Sequence, residues 1–208
     1  MTTPEDPSAG LPRRELREAT VLRALAHPVR LHLLEELGAL DRATATELAE
    51  RLGESPANCS WHLRQLAKHG FIEEAGGGAG RQRPWKLVAQ SNIVTGEDEA
   101  EGGTELAAAH DELLNVVIDR EVEALRGWQR ARGGEPAEWV EAVFAAQSSA
   151  IWLTAEETAE IKRELHAVYE RLVWPRLDRM EPDRRPAGSR RVRFVAWAIP
   201  NGPPHSGE

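Results

Sequence analysis

Two helix-start signals in tandem, at Thr44 and Ser55, constrain this chain more than anything else in it. Thr44 stands three residues before Glu47, the spacing at which a hydroxyl and a carboxylate satisfy each other's backbone amides at a helix start. Leu48 and Leu52 supply the inward stripe of that helix, and Gly53 stops it. Ser55 then caps a second helix with Pro56 at its first position, where a missing N–H costs nothing. Only Gly53 and Glu54 lie between, so the two helices must fold sharply against each other. At about 100° per residue, Cys59, Leu63 and Leu66 fall on one stripe of the second helix. Ala57, Ser60, Trp61, Arg64 and Lys68 fall on the opposite face, with His62 and Gln65 on the flank. The helix is expected to run to about Lys68, with Gly70 as a left-handed stop.

A hairpin follows. Phe71 to Ala75 reads as a strand, Gly76, Gly77, Gly78 and Gly80 as its tip, and Pro84 to Val88 as the return. Two helices in a tight turn with a hairpin behind them make a winged helix-turn-helix. Upstream, Pro28 opens a helix that buries Val29, Leu33, Leu34 and Leu37 and is expected to stop at Gly38. A further helix is expected over Arg13–Leu25, preceded by a disordered tail over residues 1–12.

The second half is less specific. Residues 91–103 are acidic and glycine-bearing and read as a linker, which sets a DNA-binding domain at 13–90 and a second domain at 104–200. Thr104 to Arg132 has helical periodicity, with Leu106, Leu113, Val117, Val122, Ala124, Leu125 and Trp128 forming an apolar face that suits dimerisation. Pro136 restarts a helix to about Ala146. Thr154 with Glu157 is a second capping box, opening a helix with Ile161, Leu165, Val168 and Leu172 on one stripe, and Pro175 marks its end or a kink. Arg190 to Ile199 alternates and is expected to be a strand, paired with the β-tolerant Ser149–Leu153; Arg191 and Arg193 are expected in solvent or at a subunit rim. Residues 201–208 read as a tail. The expected fold class is mainly α with a small β wing, plus a C-terminal α+β extension.

The exposed face of the second capped helix suits the major groove. Arg64 and Gln65 can each make bidentate base contacts, and Ser60 and His62 offer donors to bases or phosphates. Ala57 and Ser60 are small enough for close approach, Trp61 can pack on a sugar or thymine methyl, and Lys68 suits a phosphate. Arg81 and Arg83 flank the wing tip, where arginine reaches a phosphate strand or the minor groove. The formal net charge of −8 does not oppose this. Residues 1–90 carry 12 basic and 12 acidic side chains, while residues 91–208 carry 14 against 22. Within Ser55–Gln90 five basic residues face two acidic ones.

Three linked motifs carry a family resemblance. Ala24-Leu25-Ala26-His27-Pro28-Val29-Arg30, within Leu22–Leu31, resembles the leading helix of ArsR/SmtB-like bacterial repressors. Ser55-Pro56-Ala57-Asn58-Cys59-Ser60-Trp61-His62-Leu63-Arg64-Gln65-Leu66 resembles their recognition helix, and Lys68-His69-Gly70-Phe71-Ile72 is similar to its exit into the wing. The resemblance covers Leu22 to Val88. It implies a homodimer that represses from palindromic double-stranded DNA until a ligand lowers its affinity. The metal-sensing members carry paired ligands that this chain lacks. Cys59 is single and on the core stripe, and His110-Asp111 has no matching second pair, so no metal and no cofactor are expected.

Other functions find no support in the residues. The glycine tip lacks the Lys-Ser/Thr of a nucleotide loop. No nucleophile–base set can be placed on one face, so the chain is not expected to be an enzyme. No apolar run approaches a membrane span, no signal peptide is seen, and the lone cysteine fits a reducing compartment, so a cytoplasmic protein without membrane contact is expected. Trp128, Trp139, Trp152, Trp174 and Trp197 read as core or dimer packing, or as the lining of a pocket for a small apolar or planar effector. The alternative function is a ligand-sensing or protein-interaction module whose winged helix does not bind DNA.

Overall fold

The computed structural model describes residues 13–76, 83–88, 90–93, 99–144, 151–180 and 182–203. The expected tail over 1–12, the wing tip with Arg81, Ser149 and residues 204–208 lie outside the described residues.

Strand β1 (Arg13–Glu15) comes first, then helix α1 (Ala19–Leu25). The single helix expected over Arg13–Leu25 is therefore corrected. Its first residues instead pair in parallel with β5 (Ser91–Ile93), Arg14 opposite Asn92. β5 in turn occupies the start of the expected linker. Helix α2 (Pro28–Leu40) begins on proline as expected but runs through Gly38 and ends at Asp41, whose φ is 68°. Strand β2 (Arg42–Ala43) leads into α3 (Ala45–Leu52) and α4 (Pro56–Lys68). Strands β3 (Ile72–Glu74) and β4 (Trp85–Leu87) form the wing. β4 lies between β2 and β3, antiparallel to both, with Ile72 opposite Leu87 and Arg42 opposite Lys86.

Apolar burial holds these elements together. Leu22, Leu33, Leu37, Leu48, Cys59, Leu63, Leu66 and Ile72 are fully buried in one cluster. Helix α5 (Glu99–Ala131) joins the same core: Leu106, Ala109 and Leu113 pack with Val21, Leu22, Ala24 and Leu25 of α1. Gly103 interrupts α5 with φ 69° and ψ −177°, so its regular part begins at Thr104, as the sequence predicts. Arg23 reinforces the α1–α5 contact through Glu105 at 2.8 Å and Glu112 at 3.8 Å.

Beyond Leu113 no described residue is buried. Helix α6 (Ala137–Ala142) ends early, because Val143 is extended. Helix α7 (Ala155–Val168) has the full Thr154–Glu157 capping box. It continues as a wider turn over Tyr169–Val173 and a tighter one over Trp174–Met180. Pro175 explains the change: it has no N–H to continue the ladder and its ring crowds the carbonyl one turn back.

Arg190–Ile199 forms no strand among the described residues, which corrects that expectation. Its arginines, with Arg185, are used elsewhere. Arg185 donates to the carbonyls of Gly38 and Ala39 at 3.0 and 3.2 Å, and Arg191 to that of Glu35 at 2.8 Å. Arg193 pairs with the Glu35 carboxylate and with Glu121 at 3.0 Å. Gly38 and Ala39 lie in the last turn of α2, whose carbonyls have no partner within the helix, so Arg185 satisfies groups the helix leaves open. A Cβ at Gly38 would make ordinary contacts, 3.4 Å from Leu87 Cδ1 and 3.5 Å from Arg191 Nη1.

Candidate nucleic-acid interface

Local caps fix the two helices of the turn. Thr44 Oγ1 accepts from the Glu47 amide at 3.3 Å while Glu47 accepts from the Thr44 amide at 2.7 Å. That pairing with the Thr44 amide and hydroxyl holds the Glu47 carboxyl below the usual range. Gly53, at φ 67°, makes the left-handed turn, and Ser55 Oγ accepts from the Asn58 amide at 3.1 Å. Leu48, Cys59, Leu63 and Leu66 then clamp α3 to α4.

That clamp leaves the far face of α4 in solvent. Ala57, Arg64 and Lys68 are exposed, Trp61 is 48% exposed, and Ser60 and Gln65 are half-buried. Arg64 Nη1 donates to Ser60 Oγ at 2.9 Å, so the guanidinium lies along the helix. The structure thus brings six of the seven α4 residues expected from the sequence to one surface. His62 departs: it is 3% exposed and faces the interior, which corrects its placement among the DNA contacts. The N-terminal end of α2 covers that flank, and the His62 ring lies 4.3 Å from the ring of His27. A helical wheel gives an angle but not the neighbour that covers it.

The far end of α4 is held by Arg14. Its Nη1 donates to the His69 carbonyl at 2.7 Å, and its guanidinium lies 5.0 Å over the Phe71 ring. Burial, then the Lys68 and Arg14 charges, push the His69 pKa down.

On the wing, Arg83 is exposed but bound to Glu74 at 2.7 Å, and Lys86 to Glu73 at 3.0 Å. The Glu74 partner raises the Arg83 pKa. Directly opposed residues of neighbouring strands share a sheet face, so Arg42, Lys86 and Glu73 stand together in solvent. Arg42 is a basic residue of this surface that sequence reasoning missed. A two-residue strand carries no periodicity by which to find it.

The five C-terminal tryptophans differ in exposure. Trp152 and Trp197 are 79% and 60% exposed, while Trp128, Trp139 and Trp174 are half-buried. Arg190 lies 5.0 Å over Trp139, and His166 meets Trp174 edge-on at 5.1 Å. An open groove of about 370 Å³ runs along α7, lined by Glu160, Ile161, Glu164, Leu165 and Val168, and no tryptophan lines it. Among the described residues no group of three or more His, Cys, Asp or Glu is placed to hold a metal, and no helix is long and apolar enough to cross a membrane. Burial, then the Glu54 charge, push the Cys59 thiol pKa up, as befits a packing residue.

Residues 25–75 match the family described as "Helix-turn-helix domain". A solved structure of a transcriptional regulator homologue protein from Pyrococcus horikoshii OT3 is 25% identical, covering 46% of this chain and 85% of that one, with a TM-score of 0.29. No curated protein sequence matches the chain. The family match spans α2 to β3, the segment in which the caps, the turn and the exposed helix face have just been described; over it the chain carries a helix-turn-helix domain, and β4 beyond it completes the β wing.

Proposed function

We propose that this chain is a sequence-specific transcription regulator that reads double-stranded DNA with α4. The observation that carries the reading is the exposed face of Ala57, Ser60, Trp61, Arg64, Gln65 and Lys68, presented beside the wing by a helix whose other side is locked into the core. Arg64 and Gln65 read base edges, and Ser60 and Lys68 hold phosphates. Trp61 packs on sugar or thymine methyl. Arg83, Arg42 and Lys86, together with Arg81, serve the backbone of the adjacent DNA.

The working unit in this reading is a cytoplasmic homodimer that represses from a palindromic operator. Leu114 and Leu125 on α5, with Ile161, Leu165 and Val168 on α7 and Leu172 in the turn that continues it, are between 39% and 48% exposed. A soluble protein covers so much apolar surface, and a second copy does so while placing two α4 helices on half-sites about one helical turn apart. A small apolar or planar effector acts on the C-terminal half and releases the operator. The function needs no catalysis, metal or cofactor.

Selection of duplexes from a random-sequence pool by the purified protein tests this. Enrichment of a common inverted repeat supports the reading. A pool that stays random after several rounds at low salt contradicts it and favours a winged helix used for protein contact.

A further inference from the structure

His62, buried, and His27, half-buried, form a pair at the seat of the reading helix. Their ring centroids are 4.3 Å apart at 44°, and the exposed Trp61 meets His62 edge-on at 4.7 Å. His27 is the N-cap of α2, and its Nδ1 accepts from the Val29 amide at 3.2 Å. That nitrogen must therefore be unprotonated for the cap to exist. His62 Nδ1 is buried with no hydrogen-bond partner.

The charged surroundings are few. Arg30 faces both rings from α2, and Glu54 faces both from the turn between α3 and α4. Cys59, one turn earlier on α4, stays a neutral thiol. From α1, the Arg23 carbonyl accepts from Arg30 Nη2 at 2.8 Å; from α5, Glu112 acts on Arg30.

We propose that the His27–His62 pair is an acid-sensitive latch, which seats α4 against the N-terminus of α2 while neutral and lets go of DNA when protonated. A proton on His27 Nδ1 turns the acceptor of the α2 cap into a second donor facing the Val29 N–H. A proton on His62 places a charge in a site closed to water, against Arg30 and the other imidazole. Either event pushes apart the surfaces that hold α4.

The direction of the pH effect follows. Burial first, then Arg30, lowers the His27 pKa, and burial, His27 and Arg30 lower that of His62, with Glu54 opposing in both. The folded chain thus takes up these protons later than the unfolded chain, whose histidines titrate near 6.5. The latch is complete above that value and weakens as pH falls below it. A generic DNA binder does the reverse, because acid adds positive charge.

The test uses the whole chain and a labelled duplex enriched by it at about pH 7.5. Anisotropy is read at about pH 7.5 and about pH 5.5 at fixed salt, and the thermal midpoint is read without DNA. The expected result is an affinity loss of about tenfold in acid, with a falling thermal midpoint. In the double variant His27→Asn, His62→Phe, which keeps an oxygen cap and an aromatic ring, both changes flatten. Equal or tighter binding in acid by the wild type overturns the latch, as does an equal acid loss in the double variant. Should the double variant not fold, NMR of the wild type decides. Ring protons of both histidines that titrate with the Val29 amide support the latch, and titration without any response at Val29 overturns it. The consequence for DNA rests on the function proposed above. An acid-sensitive thermal midpoint with no duplex bound at either pH would retain the latch and overturn the DNA reading.

Discussion

Gly70 shows how single positions hold the reading helix in place. Its φ of 71° is open to glycine and strained for side chains, and a Cβ there would lie 3.3 Å from Arg14 Nη1. Gly70→Ala is expected to destabilise the fold by about 1–2 kcal/mol, read as a lower thermal midpoint. Gly70 was legible in the sequence because it sits just past a run of apolar spacing. Arg14, which donates to the carbonyl beside it, was not, since that contact joins residues far apart in the chain. The same division explains His62. Its angle on α4 was legible, but the ring that covers it belongs to His27, and nothing local announces that pairing.

At the scale of elements, what local chemistry writes is what the sequence shows. Thr44 with Glu47, Ser55 with Pro56, and Thr154 with Glu157 each start a helix where expected. The parallel pair β1–β5 was invisible because each strand has three residues and the pairing is long-range. The end of α2 was misplaced at Gly38 for a related reason: the open carbonyls of Gly38 and Ala39 are met by Arg185, from the far end of the chain. The alternation in Arg190–Ile199 resembled a strand, and its arginines instead reach α2, Glu121 and, through Arg190, Glu135 at 2.5 Å. Replacing Arg185 and Arg191 together by alanine is expected to free the C-terminal segment. The checks are faster cleavage after residue 180 in limited proteolysis and a thermal midpoint lower by about 2–4 °C per kcal/mol lost. An unchanged cleavage pattern would mean that the segment is held by other contacts.

For the whole molecule, the two halves differ in kind. The core gathers α1 to α4, the wing and the first half of α5, whereas no described residue after Leu113 is fully buried, Val116 and Val117 packing half-buried against that core. The exposed stripe of α7 is the element we expect a second copy to cover. Leu165→Glu with Leu172→Glu is then expected to convert a dimer to a monomer in light scattering, while a wild-type chain that is already monomeric would refute the pairing. The acidic balance of residues 91–208 lowers nonspecific attraction to DNA, so in the proposed function binding rests on α4 and the wing. The most direct measurement is fluorescence anisotropy of the protein on its enriched duplex and on a random duplex across a salt series, repeated with Arg64→Ala. Specific binding that weakens steeply with salt is expected, with a loss of about 1–3 kcal/mol in the variant, confined to the enriched duplex. Equal weak binding to both duplexes, unaffected by Arg64→Ala, would contradict the proposed function.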